Sequence, residues 1–299
     1  MKFKHLLLAA ALALMGTRAL AEGFSDNAVG LRYGADFKEP GVASSFNGKP
    51  DRKGDDIHKF IVNFGHFDVW NYGSNFINVD ALFSDHRDPA SNSTSVGATE
   101  VYGVYRGQLS PAKIFGVSTG FGPVQAVNLE LGGDFNTKNT TFAPRKRLIV
   151  FGPNFHFAVP AGFLNLGVHL SHEWNYNGFG GGCTAAGCTG KAADFNTTPE
   201  LEAVWLFPLT FTGLPLDFRG FANVVFPKGN GGIKGTTNVT EVLARPQLQL
   251  DVGKLVFNKP HLPDIYLAFE YWLNKFGNDH NVVPGSYAYT PMVGLEVHF

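Results

Sequence analysis

Short runs of alternating apolar and polar residues recur along almost the whole chain. The most regular lies at 163–176, where Leu164, Leu166, Val168 and Leu170 alternate with Asn165, Gly167, His169 and Ser171. A period of two puts one set of side chains on each face of a strand. Comparable runs fall near 28–37, 57–70, 74–85, 98–109, 124–135, 147–159, 198–207, 216–226, 244–252, 264–275 and 287–299, which predicts twelve strands. Val101, Gly103 and Tyr105 alternate with Glu100, Tyr102 and Arg106; Ile265, Leu267, Phe269 and Tyr271 alternate with Tyr266, Glu270 and Trp272. Beyond the first residues no apolar run reaches the length a membrane-spanning helix needs. The predicted fold is therefore all-β: a single transmembrane antiparallel β-barrel of about twelve strands, whose apolar faces meet lipid.

The connections fit that expectation. With the first strand starting in the periplasm, the external connections are 38–56, 86–97, 136–146, 177–197, 227–243 and 276–286, rich in Gly, Asn, Ser, Thr and Asp. The opposite turns include Asn71-Tyr72-Gly73 and Pro160-Ala161-Gly162, both tight, as expected of periplasmic turns. Those after the fourth, eighth and tenth strands are longer than this rule expects. An even strand number returns both termini to the periplasm. The final run, Val293, Leu295, Val297 and Phe299 against Met292, Gly294, Glu296 and His298, ends on an aromatic residue suited to a membrane interface and resembles the assembly signal of outer-membrane proteins. At the other end, Lys2 and Lys4 precede an apolar stretch and an Ala19-Leu20-Ala21 site. This reads as a signal peptide, 1–21, removed to leave one barrel domain at 22–299 in the bacterial outer membrane.

Composition narrows the partners. Aromatic residues make up 14% and charged residues 16%, with a formal net charge of -1 and no basic block, so nucleic acid is not an expected partner; lipid is. Cys183 and Cys188 lie in a glycine-rich stretch and read as a disulfide in an exported chain, with two free thiols as the alternative. No metal ligands and no cofactor motif are identified: Asp85-His86-Arg87-Asp88 reads as a solvated turn before Pro89, and Gly178–Gly182 as a flexible loop. Ser171 and His172 are strand neighbours and point to opposite faces, so they make no nucleophile–base pair, and no enzyme is expected.

If apolar faces meet lipid, the other faces line a lumen with mixed charge and interleaved aromatic rings. Such a lining suits a neutral solute with a flat ring and several hydroxyls. It equally suits a barrel plugged by its own salt bridges. The segment from Tyr72 through Gly-Ser-Asn-Phe-Ile-Asn-Val-Asp to Asp88-Pro89-Ala90, followed by Glu100-Val-Tyr-Gly-Val-Tyr-Arg106, resembles the Tsx-like family of nucleoside-specific outer-membrane channels, including its outer envelope protein branch. A weaker likeness runs from about residue 24 to 299. The resemblance implies a monomeric twelve-stranded barrel with a narrow channel, and passive uptake of nucleosides or similar small polar solutes. Strand parity then nominates Tyr102, Tyr266 and Trp272 for base stacking, and Asp80, Glu100, Arg106, Arg219 and Glu270 for polar contacts. The alternative is a plugged structural or adhesive barrel.

Overall fold

A computed structural model describes residues 23–43, 53–90, 95–140, 143–178, 189–230 and 237–299, together with the backbone of 45–46, 49–50, 183–184 and 187–188. The expected leader lies outside the described residues. Twelve long strands form one antiparallel sheet that closes on itself. They are β1 (Ser25–Phe37), β2 (Ile57–Trp70), β3 (Gly73–Ser84), β4 (Thr99–Leu109), β5 (Val124–Lys138), β6 (Arg147–Phe157), β7 (Phe163–Asn177), β8 (Thr198–Pro208), β9 (Leu216–Val225), β10 (Glu241–Asp251), β11 (Asp264–Leu273) and β12 (Tyr287–His298). Each pairs with its neighbours in sequence, and β12 pairs with β1 from Ala28↔His298 to Gly34↔Met292, so no edge is left open. A short strand, Lys191–Asp194, extends the upper part of β7.

The strands lie within a few residues of their sequence-derived positions. β10 starts earlier than the alternation suggests, at Glu241. Its register with β11 is interrupted between Ala244 and Gln247, where Pro246 has no N–H to contribute to the ladder.

Alternation sorts the two faces. Along β11, Asp264, Tyr266, Ala268 and Glu270 are buried while Ile265, Leu267 and Phe269 are exposed on the outside. The same outward belt carries Leu31, Val62, Leu131, Phe151, Leu170, Val293 and Leu295. An apolar exterior around a closed sheet and a polar interior are the arrangement of an outer-membrane-type barrel. Aromatic pairs band both rims. Phe24–Phe67, Trp70–Tyr72 and Trp205–Phe218 sit toward the short-turn end; Tyr33–His58, His172–Trp174 and Tyr271–Tyr287 sit toward the long-loop end.

The three over-long turns have local causes. After β4, Ser110 caps a one-turn helix α1 (Pro111–Phe115) by accepting from the Lys113 N–H, and Gly116 ends it in the left-handed region. After β8 and β10 come a 3-10 turn (Thr210–Thr212) and a π-type turn (Gly253–Phe257). All three project large apolar side chains outward, Phe115, Phe211 and Phe257 among them, at the rim of the barrel.

The inner face is not uniformly polar: Phe37, Ile57, Ile61, Tyr266, Ala268 and Met292 form a buried apolar cluster along β1, β2, β11 and β12, with Val42 of the first long loop packed on it. The lumen thus has a packed apolar side and a charged side built mainly by β4 to β8.

Candidate functional site in the barrel lumen

From the long-loop end inward, the lumen begins with a vestibule of ≈ 290 Å³. Tyr176, Phe195 and Phe276 contribute rings to its wall, and Asn136, Lys138, Lys146 and Glu173 contribute polar groups. Glu39 of the first long loop and Asp88 of the second also line it.

Glu39 turns inward and is buried. Lys59 of β2 pairs with its Oε1, Lys275 lies 3.3 Å from the same oxygen, and Lys138 of β5 lies 3.4 Å from Oε2. Lys138 also meets Asp88 Oδ2 at 2.6 Å. Burial alone would raise the Glu39 carboxyl; Lys138, Lys275 and Lys59 outweigh it and hold the group well below its ordinary value. Lys275 is the converse: burial pushes its ammonium down, and the neighbouring lysines add to this against Glu39. The Asp85–Asp88 segment is a turn with His86 and Arg87 exposed, as expected from sequence, but its last carboxylate, Asp88, is 1% exposed and drawn inward by Lys138.

The loops above this cluster are tied to one another. Gly41 N–H donates to Pro284 O at 2.8 Å, Lys275 Nζ to Lys38 O at 2.9 Å, and Arg87 Nη1 to Asp56 O at 2.9 Å. Gly54 and Gly285 both have positive φ and touch at this crossing; a Cβ on Gly285 would come 2.1 Å from Glu39 O.

Deeper lies Arg106 of β4. Its Nη1 donates to Asp134 Oδ1 at 2.8 Å, and its Nε donates to Glu202 Oε2 at 3.2 Å and lies 3.6 Å from Glu130 Oε1. Glu202 belongs to β8, with β5, β6 and β7 between it and β4, so this contact crosses the lumen rather than following the wall. Tyr102 Oη donates to Asp134 Oδ2 at 2.8 Å and accepts from Lys146 Nζ at 3.1 Å. Glu130, His169 and Glu202 bring ligand-type atoms within 4.8 Å of one another, but the Arg106 guanidinium already stands where a metal cation would.

All eight sequence-derived candidates face the interior, yet they do not form one site. Tyr102 and Arg106 share the central cluster. Asp80 binds Arg32 at 2.6 Å and accepts from Asn63. Glu100 accepts from Asn136 and lies near Lys59 and Lys138 beneath these loops, which cap the lumen. Glu270 pairs with Arg245, and the Trp272 Nε1–H donates to Glu241 Oε1 at 2.7 Å with Lys275 over its ring. Arg219 reaches Glu296 at 3.5 Å toward the short-turn end. The Tyr266 ring covers Gly294, where a Cβ would come 2.2 Å from its Cζ, so one ring face is taken by the wall.

Strand parity also marks Lys59 and Asp134 as inward, on the faces of Asn63 and Asn136. Glu39 and Asp88 are in loops, where no alternation reports their direction. Ser171 is buried inward and His172 points outward to Asp194 and Thr197, as their adjacency requires. Cys183 and Cys188 face each other in a two-residue backbone pairing; their side chains lie outside the described residues.

No family model matches the chain, and no curated protein does. Among solved structures it is similar to the translocator domain of the autotransporter NalP from Neisseria meningitidis, at 11% identity and TM-score 0.46, covering 99% of this chain and 96% of that one. It is also similar to OprD of Pseudomonas aeruginosa, at 10% identity and TM-score 0.31 over 94% and 97% of the two chains, and to OccK5 (OpdH) of the same organism, at 8% identity and TM-score 0.32 over 92% and 98%.

Proposed function

We propose that this barrel is a narrow outer-membrane channel for the passive uptake of small polar solutes, with nucleosides the favoured class. The observation that carries the reading is the sequence of surfaces along the lumen: an aromatic and polar vestibule, then a cross-lumen arginine among carboxylates and a tyrosine hydroxyl. A flat base would meet the rings of Tyr176, Phe195 and Phe276, which carry Arg145, Lys228 and Lys275 over one face each. Ribose hydroxyls can exchange hydrogen bonds with the Arg106, Asp134 and Tyr102 groups beneath, which are already polarised by one another. The likeness of the Tyr72–Ala90 segment to the Tsx-like family supports the same substrate class. Liposome swelling with purified protein tests it: nucleosides should enter faster than disaccharides and faster than nucleotides, whose phosphates meet the acidic central cluster. Equal rates for all three would reject nucleoside selectivity.

A second reading, a plugged structural barrel, is favoured by one specific observation, the Arg106–Glu202 contact across the lumen. Under that reading no solute enters liposomes at a rate above the protein-free background.

A further inference from the structure

The short-turn end of the lumen holds a constellation that the transport reading does not use. Three adjacent strands place carboxylates in one cross-strand row: Asp251 of β10 is opposite Asp264 of β11, which is opposite Glu296 of β12. Like charges directly opposite repel. Here Asp251 and Asp264 are also buried, Asp264 wholly, and Glu296 is half-buried. Asp26 of β1 adds a fourth carboxylate. Among the described residues the only guanidinium in contact with the group, Arg219, is shared between Glu296 and Asp217. Two imidazoles complete the cluster, His261 in the β10–β11 turn and His298 at the end of β12, with ring centroids 5.1 Å apart.

The atoms are arranged as ligands are. His261 Nδ1 lies 2.9 Å from Asp264 Oδ2, and His298 Nε2 lies 3.8 Å from the same oxygen; all three atoms are within 4.8 Å of one another. Ligands bonded to zinc at about 2 Å sit about 3.3 Å apart around a tetrahedron, so these separations bracket the required spacing. Glu296 Oε1 lies beside this three-atom group, 3.1 Å from His298 Nε2.

Supports hold each group from behind. His298 Nδ1 is 2.8 Å from Asp26 Oδ2, the carboxylate–histidine arrangement in which the other nitrogen, Nε2, here hydrogen-bonded to Glu296 Oε1, ligates once it gives up its proton. Gln249 donates to Asp264 Oδ2 and to Glu296 Oε1, and is itself 1% exposed. His261 has φ +56, a left-handed conformation uncommon outside glycine, with its N–H donating to Asp251 Oδ1. Independently of these contacts, the second oxygen of the buried Asp264, Oδ1, has no hydrogen-bond partner among the described residues.

We infer that His261, Asp264 and His298, with Glu296 as fourth ligand, form a site for a divalent transition-metal ion of the zinc type. Two imidazoles select such an ion over calcium or magnesium, which prefer all-oxygen shells. Binding displaces the protons on the ligating imidazole nitrogens and offsets the carboxylate row. Because the ligands and Asp26 come from β11, the β10–β11 turn, β12 and β1, the ion staples the seam where β12 closes on β1.

The test uses the full barrel, refolded in detergent without a histidine tag and stripped of metal. Isothermal titration with Zn²⁺ should show one ion per barrel, and Co²⁺ should give the strong visible absorption of a four- or five-coordinate site. Ca²⁺ and Mg²⁺ should give no saturable heat. Zn²⁺ should raise the unfolding temperature of the wild type. His261→Asn keeps a residue that tolerates positive φ while removing the imidazole; it should weaken Zn²⁺ binding at least tenfold and abolish the thermal shift. Asp26→Asn should weaken binding about 10–100-fold, and His172→Ala, on the outer face, should leave it unchanged. If Asp264→Asn refolds, as judged by heat-modifiable gel migration, it should not bind; if it does not refold, His261→Asn decides. Absence of stoichiometric Zn²⁺ binding in the wild type, or binding unchanged in His261→Asn, overturns the site.

Discussion

At the long-loop end of the lumen three lysines converge on one buried carboxylate; at the short-turn end three carboxylates from adjacent strands face two imidazoles. Both ends bury charge, which is costly unless partners offset it. The upper cluster finds its partners within the chain: Glu39, Asp88 and Glu100 answer Lys59, Lys138 and Lys275, and the exchange ties two loops down over the vestibule. The lower cluster has more acid than its one shared arginine can balance. Buried charge at one end therefore serves closure by the protein's own groups, and at the other leaves a demand that an external ion meets.

The sharpest way to break this contrast is at Glu39. In Glu39→Ala the three lysines lose their shared acceptor, and removing one partner from a buried ionic group costs about 3–5 kcal/mol. The lower part of that range is expected, because Asp88 and Glu100 remain beside Lys138 and Lys59. The first and second long loops should become protease-sensitive and the urea midpoint should fall. An unchanged midpoint with loops still protected would mean that the cluster does not hold the cap.

The same cap has a defined acid response. Glu39 is held below its ordinary value, so its stabilising contribution is complete above the ordinary carboxylate range and is lost only as pH falls through the lowered value. Loop protection should therefore persist at about pH 4, near the ordinary glutamate value, and disappear in stronger acid. Glu39→Gln should remove this acid step; a step that remains would belong to other groups.

Gly285 offers a smaller perturbation. Its φ is +74, and a Cβ there would strike Glu39 O at 2.1 Å. Gly285→Ala should cost about 1–3 kcal/mol as backbone strain, read in the loop's hydrogen exchange, without changing Zn²⁺ binding at the far end. The smallest effect is expected from His261→Asn in metal-free buffer. His261 is partly exposed at the rim and Gln249 still donates to Asp264, so the loss of the ring's contact with Asp264 should cost about 1 kcal/mol; with Zn²⁺ present it should lose the stabilisation the wild type gains. A large effect without metal would make His261 a structural residue instead.

The wall of the barrel was legible in the sequence because a closed sheet leaves no choice between its faces. Leu164 to Ser171 reports outward and inward directions residue by residue, and Tyr102, Arg106 and Glu270 fall inside as parity requires. What parity could not report is which inward groups meet. Arg106 and Glu202 are separated by three strands, and their contact depends on the barrel's closure rather than on any local spacing. Glu39 and Asp88 come from loops, where direction is set by the lysines that receive them. The zinc-type site draws on residues 261, 264 and 298, a spacing that becomes a site only when β11 and β12 pair. The apolar cluster around Ile57 and Ile61 was missed because alternation distinguishes faces but does not guarantee that the inner one is wet.

Planar-bilayer conductance bears most directly on the channel itself. The wild-type barrel should pass a small current that nucleosides added on the long-loop side block in a saturable way. The double variant Arg106→Gln, Glu202→Gln, which removes the cross-lumen pair without leaving either charge alone, should conduct more and be blocked less. Conductance insensitive to nucleosides up to their solubility, in both proteins, would contradict the nucleoside channel, and no conductance above background in either would leave a barrel filled by its own salt bridges.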